Sequence, residues 1–276
     1  MSRFFVDPSD VTDKYIYLSD RNDLHHMKKV LRMGVGDELD ISDGSAWEYH
    51  VEIEAMDGEE ARLLILDKQK FAREPELHVT LYQGVPKAGK MEGIIQKCVE
   101  LGVYAIVPVF MERTVVVDKG NFGKKQDRWQ KISDEAVKQC KRGIIPEVRE
   151  SMKFKEMVEE LSQYDLVLFP YENEDNRTIK DCLRQITREA KKGAAADGGL
   201  GADGVSNGEG AKNVELCRKL PKTVAIIIGP EGGFADKEAA MLDEAGAERV
   251  SLGKTILRTE TAGPAALAMT MYELEL

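Results

Sequence analysis

Apolar and polar positions alternate over Asp37 to Ser42, Ala46 to Glu54 and Ala61 to Leu66, the period of two that marks half-buried strands. Asp43-Gly44 and Asp57-Gly58 stand between these runs as hairpin turns, and a helical pattern over Asp23 to Leu31 precedes them. The segment from Phe4 to about Lys70 therefore predicts a small β-rich module.

After a polar link at Phe71 to Glu76 the pattern changes. Apolar runs at His78 to Gln83, Tyr104 to Val109, Thr114 to Val117, Leu166 to Phe169, Thr223 to Ile228 and Arg249 to Leu252 read as strands. Helical segments separate them, the first over Lys90 to Leu101 and stopped by Gly102. Alternation of this kind predicts an α/β domain with a largely parallel sheet. The boundary is placed between residues 72 and 73. Residues Lys191 to Asn213 break the pattern: rich in Gly, Ala and small polar residues, they bury too little apolar area to offset ordering entropy and are expected to form a mobile insertion.

Two strand ends run into glycine-bearing loops. Gly229, Pro230, Gly232 and Gly233 follow the Thr223 strand and precede an Asp236-led helix. Gly253 follows the Arg249 strand and precedes a helix expected to open near Thr261, with Pro264 in its first turn. Ligands of open α/β sheets bind at such strand ends. Neither loop fits G-x-G-x-x-G, and G-x-x-x-x-G-K-[ST] is absent, which disfavours dinucleotides and ATP.

The chain has 276 residues, long enough for two domains, and is 42% hydrophobic. No stretch approaches the length of a membrane span, and Met1 to Asp10 does not read as a signal peptide, so no membrane association and a cytoplasmic location are expected. Cys98, Cys140, Cys182 and Cys217 are scattered and the four histidines complete no ligand pattern, so free thiols and no metal are expected. A net charge of -10 argues against nucleic acid, but its distribution does not. Lys119, Lys124, Lys125, Arg128, Lys131, Lys138, Lys141 and Arg142 face only Asp127, Asp134 and Glu135 in one stretch, which offers a basic face.

Gly229-Pro-Glu-Gly-Gly233 and Leu252-Gly-Lys-Thr-Ile-Leu-Arg-Thr-Glu-Thr-Ala262 closely resemble the RsmE family of SPOUT methyltransferases. The resemblance extends through Lys90 to Val103, Glu112 to Val115, Arg128 to Pro146, Arg3 to Phe5 and His25 to Arg32, nearly the whole chain. Two positions depart from the family: Ala235 stands where a capping Ser is common, and Thr255 where a basic residue is frequent. The resemblance implies a SPOUT-type α/β domain with a deep trefoil knot, residues 73–276, behind a PUA-like β-barrel, residues 1–72. It implies S-adenosylmethionine (SAM) as cofactor, a specific uridine N3 of 16S rRNA as methyl acceptor, and a homodimer.

On the same basis the cofactor is expected on Gly229, Glu231, Gly232 and Gly233 of the first loop, on Leu252, Gly253, Ile256, Leu257 and Thr259 of the second, and on Phe169 and Pro170 at a third strand end. Arg258, Arg113 and Glu231 are the candidates for catalysis, Arg113 by resemblance to residues that other SPOUT enzymes contribute from a neighbouring subunit. RNA is expected on Arg3, Lys28, Lys29 and Arg32 of the amino-terminal module and on Lys124, Lys125, Arg128 and Arg142. Because fold and donor loops do not fix the acceptor, a SPOUT enzyme acting on tRNA or another rRNA atom stays an alternative, as does a non-catalytic RNA-binding or ribosome-assembly protein.

Overall fold

The computed structural model describes residues 3–44, 47–70, 74–116, 122–174, 176–197 and 219–276. The described elements are, in chain order, β1 (Arg3–Phe5), β2 (Tyr15–Leu18), α1 (Arg21–His25), β3 (Glu38–Ser42), β4 (Trp47–Met56), β5 (Ala61–Lys70), β6 (His78–Gly84), α2 (Lys90–Glu100), β7 (Ala105–Phe110), α3 (Phe122–Cys140), β8 (Glu147–Val148), β9 (Met152–Lys153), α4 (Phe154–Glu160), β10 (Leu166–Pro170), α5 (Ile179–Asp197), β11 (Thr223–Ile228), α6 (Asp236–Glu244), β12 (Glu248–Val250) and α7 (Thr259–Leu274). They fall into two compact units, Met1–Pro75 with Lys124–Val148, and Glu76–Gly123 with Arg149–Leu276.

In the first unit five strands form a sheet in the order β1-β3-β4-β5-β2. Alternation puts Leu39 and Ile41 of β3, Val51 and Ile53 of β4, and Ala61 and Leu63 of β5 on one face, where they bury against Phe4, Ile16, Leu18 and Met27. Register shifts at His50/Val51 and Ile53/Ala55 let the two long strands bend around that core. The helix expected over Asp23 to Leu31 is split: α1 is capped by the Asp20 carboxylate on Asn22 and Asp23 N–H groups, and His26–Val30 continues as a π turn. Beyond it Arg32 takes a φ of 56°, a left-handed conformation that costs a non-glycine residue energy.

In the second unit the strands run parallel in the order β12-β10-β11-β6-β7, with β9 beside β7. β10, β11 and β6 are central and apolar on both faces, as strands covered on both sides must be. Tyr82, Val107, Phe169, Ala225, Ile227, Phe234 and Leu242 fill one core cluster. All parallel strands point their carboxyl ends the same way, which gathers the segments after β10, β11 and β12.

Several element expectations change. Thr114–Val116 is not a strand, and Val117 lies outside the described residues. The last strand is Glu248–Val250, shorter and earlier than Arg249 to Leu252. α5 continues to Asp197, so the expected insertion does not begin at Lys191, because its Ala and Lys residues are strong helix formers. Residues 198–213 of that insertion, with Cys217 and Lys119, lie outside the described residues. α7 opens at Thr259 with Arg258 in the capping position, which moves Pro264 out of the first turn to where it removes the hydrogen bond to the Glu260 carbonyl.

Candidate functional site

The first loop starts where β11 ends and is fixed by its neighbours. Thr259 Oγ1 donates to the Gly229 carbonyl at 2.7 Å, Gly233 N–H closes a turn on the Pro230 carbonyl at 2.9 Å, and the Arg113 guanidinium donates to the Gly232 carbonyl at 2.9 Å. Gly233 has a φ of 66°, open to glycine without cost. Beneath the loop Gly84 is obligatory, because a Cβ there would lie 2.5 Å from Pro230 N. Phe234, 1% exposed, anchors the exit against Phe169. Ala235 supplies no side-chain cap to α6, but Glu238 makes the reciprocal half of the box by accepting from Ala235 N–H at 2.9 Å. Its other oxygen accepts from Glu112 N–H at 2.8 Å and ties the loop to the Glu112-Arg113 segment.

The second loop runs from Ser251 to Arg258. Ser251 pairs with Thr178 in a single parallel bridge, and Gly253 turns the chain at a φ of 134°. Ile256 is 83% exposed, a large apolar side chain presented to solvent. Thr259 then joins this loop to the first and accepts from Gln83 Nε2 at 2.9 Å. α7 buries Thr259, Ala262, Gly263, Ala266, Leu267, Thr270 and Met271, one helical stripe. Gly263 is small for a reason: a Cβ would meet Gln83 Oε1 at 3.1 Å.

A charged clip closes one side. Lys90, the first residue of α2, places Nζ 3.1 Å from both Glu231 of the first loop and Glu260 of α7. Glu231 also accepts from Lys87 N–H at 3.0 Å. Burial works to raise the Glu231 carboxyl, but the N–H groups of Glu231 and Lys87 and the Lys90 ammonium outweigh it and hold the group below the ordinary glutamate value. Glu260 is held low first by its own backbone N–H and then by Lys90, with a smaller contribution from Arg258. Bonds to Glu231 and Glu260 hold Lys90 above the ordinary lysine value.

Together the loops enclose a cleft of about 580 Å³. Of the residues expected to hold cofactor, Pro170, Gly229, Glu231, Gly232, Gly233, Leu252, Gly253, Ile256, Leu257 and Thr259 all line it, and so does Arg258. Phe169 does not: it is fully buried beneath the site, its ring edge-on to Phe234. Arg113 braces the first loop of its own chain from outside the cleft lining. Sequence reasoning missed Tyr171 and Glu172, which follow β10 without any motif, and did not use Lys90 and Glu260 as lining groups.

The residues expected to meet RNA divide into two sets. Lys28, Lys29, Arg32, Lys124, Lys125 and Arg128 are exposed. Arg3 and Arg142 are not. Arg3, 7% exposed, donates to the Lys141 carbonyl at 2.8 Å and pairs with Glu48. Arg142, 9% exposed, donates to Glu74 at 2.9 Å, and Glu74 also accepts from the N–H groups of Gly143 and Ile144. Both arginines are turned inward onto half-buried carboxylates whose charge they balance.

Among the described residues no group of His, Cys, Asp and Glu is placed to hold a metal ion, and no helix is long and apolar enough to cross a membrane.

Family models assign this chain, with its strand-end loops around a cleft and its β-rich unit, to the RNA methyltransferases. A family model described as an RNA methyltransferase domain matches residues 73–199 and 200–271, and one described as an RNA methyltransferase PUA domain matches residues 18–66. Ribosomal RNA small subunit methyltransferase E of Bacillus subtilis is 27% identical over 100% of this chain and 98% of its own length. The protein of that name from Synechocystis is 30% identical over 99% of this chain and 78% of its own. The crystal structure of ribosomal RNA small subunit methyltransferase E from Neisseria gonorrhoeae bound to S-adenosyl methionine superposes with a TM-score of 0.75 at 27% identity, covering 99% of this chain and 97% of that one. The chain belongs to the ribosomal RNA small subunit methyltransferase E family.

Proposed function

We propose that this protein transfers the methyl group of SAM to N3 of a specific uridine in 16S rRNA. The observation that carries the proposal is the cleft itself, in which ten of the eleven residues expected from sequence to hold the cofactor converge although they come from three separate strand ends. Its volume falls in the range of small-molecule sites. Leu252, Ile256 and Leu257 offer apolar faces for an adenine, and the glycines of the first loop let backbone groups approach the ligand edges.

SAM supplies a methyl group on a sulfonium, an electrophile that needs no covalent help from the protein. The protein's share is to hold the acceptor in line and to stabilise the charge that develops on it. Uracil N3 is engaged in base pairing, so the target base must be unpaired or extruded before it meets the cleft. Loss of the N3 proton leaves negative charge on the uracil oxygens. Arg258 lies in the cleft lining at the start of α7, where a permanently charged planar fork suits that charge. Glu231 serves as a positioning residue, since its carboxylate is taken by Lys87 N–H and Lys90. The exposed set Lys28, Lys29, Arg32, Lys124, Lys125 and Arg128 carries the RNA phosphates.

Three further parts belong to this proposal. A trefoil knot in the carboxyl-terminal region is supported by order and packing: β12 stands at the sheet edge beside β10, yet α7, next in the chain, packs on β11 and β6 further in. A homodimer is supported by Met269, Tyr272 and Leu276, apolar and exposed at helical spacing along α7 and its end. A cytoplasmic location is supported by the proposed action on ribosomal RNA.

The test is calorimetric titration with SAM followed by transfer of labelled methyl to small ribosomal subunits that lack the modification. Binding and transfer are expected. A folded protein that binds no SAM refutes the proposal.

A further inference from the structure

We propose that Glu172 is the acceptor for the α-ammonium group of the cofactor's amino-acid moiety, a role that rests on the reading of the cleft as a SAM site. Among the described residues five charged side chains line that cleft: Lys90, Glu172, Glu231, Arg258 and Glu260. Glu231 and Glu260 share Lys90, and Arg258 acts on Glu260. Glu172 alone of the three carboxylates makes no hydrogen bond or ion pair with any described residue. Arg249, the cation on neighbouring β12, is committed to Asp243 and to the faces of the Phe169 and Tyr171 rings, 5.6 and 4.9 Å from their centroids.

The position of Glu172 is built. It stands just past the end of β10, the strand between those that feed the two loops. Its Oε1 lies 2.4 Å from where a Cβ on Gly233 would be, so the carboxylate rests against the first loop only because residue 233 is glycine. A carboxylate held in the cleft lining among cofactor-loop residues, with no partner among the described residues, is placed to attract a cationic ligand group.

SAM offers two cations, the sulfonium and the α-ammonium. A carboxylate fixed on the sulfonium would stabilise the ground state more than the transition state, in which that positive charge is being lost, and would slow transfer. The ammonium keeps its charge throughout. Pairing Glu172 with it adds affinity without a catalytic penalty, and it serves the demethylated product S-adenosylhomocysteine equally, because the product retains the ammonium.

The experiment titrates wild type and Glu172→Gln with SAM, S-adenosylhomocysteine and 5′-methylthioadenosine, which lacks the amino-acid group. Glu172 is exposed and pairs with no described residue, so the variant is expected to fold normally. Losing one charge-assisted hydrogen bond at a partly open site should weaken SAM and S-adenosylhomocysteine alike by about tenfold. Affinity for 5′-methylthioadenosine should stay unchanged. Equal weakening of 5′-methylthioadenosine would move Glu172 to the nucleoside, and weakening of SAM alone would move it to the sulfonium. Either result, or no change in any ligand, overturns the inference. Failure of the wild type to bind SAM would instead remove the reading of the cleft on which it rests.

Discussion

At the scale of single residues, the glycines of the first loop tolerate no side chain, and the reason lies inside the protein as well as in the space for a ligand. A Cβ on Gly232 would meet Arg113 Cβ at 2.9 Å, below real contact distances. Gly232→Ala is therefore expected to destabilise the fold by about 1–3 kcal/mol, the usual cost of overpacking. Adding Arg113→Gly removes the opposing Cβ, so the double variant should be more stable than the sum of the single changes allows, as read by thermal denaturation. Additive losses would contradict the contact. Arg258→Lys keeps the charge but loses the planar fork. It should slow the single-turnover rate at saturating SAM while leaving SAM affinity within about twofold; an unchanged rate would leave Arg258 a structural residue.

At the scale of elements, three separate segments meet at one cation, since Lys90 of α2 holds both the first loop and α7. Lys90→Met should weaken SAM binding, and Lys90→Arg should restore part of it. The carboxyls of Glu231 and Glu260 are held below the ordinary 4.5, so their contribution is complete above that value and lost as pH falls through their lower folded values. Lys90 is held above 10.5, so its contribution is complete below that value and lost as pH rises through the higher folded value. Cofactor affinity attributable to the clip should thus be flat between those limits, and a midpoint near neutral pH in calorimetry would contradict it. The loops around this clip were legible in the sequence because two glycine-bearing loops stand at strand ends and both match the motifs of one family. Tyr171 and Glu172 were not, because a tyrosine and a glutamate after a strand carry no pattern that separates lining from solvent. The start of α7 was misplaced for a physical reason too: Pro264 read as a first-turn residue, whereas the helix begins two residues earlier, where Thr259 bonds the first loop. Arg3 and Arg142 read as surface cations because their partners, Glu48 and Glu74, are distant in sequence.

At the scale of the whole molecule, the acidic net charge and the proposed RNA substrate are reconciled by position, since Lys28, Lys29, Arg32, Lys124, Lys125 and Arg128 are exposed while Arg3 and Arg142 are paired inside. If the active species is a dimer, the geometry has Arg113 serving its own chain, through its bond to Gly232. Mixing Arg113→Ala with Arg258→Ala chains, each inactive alone, should then restore no activity after subunit exchange is shown. Recovery would mean that Arg113 acts on the partner's site.

The central claim is methyl transfer from this cleft to one nucleotide. Its most direct measurement incubates the protein and SAM with small ribosomal subunits that lack the modification, digests the 16S rRNA, and locates the added methyl group by mass spectrometry. The expected result is a single N3-methyluridine, present with wild type and absent with Arg258→Ala. Methyl groups on tRNA only, on another atom, or on no nucleotide from a protein that binds SAM would contradict the account.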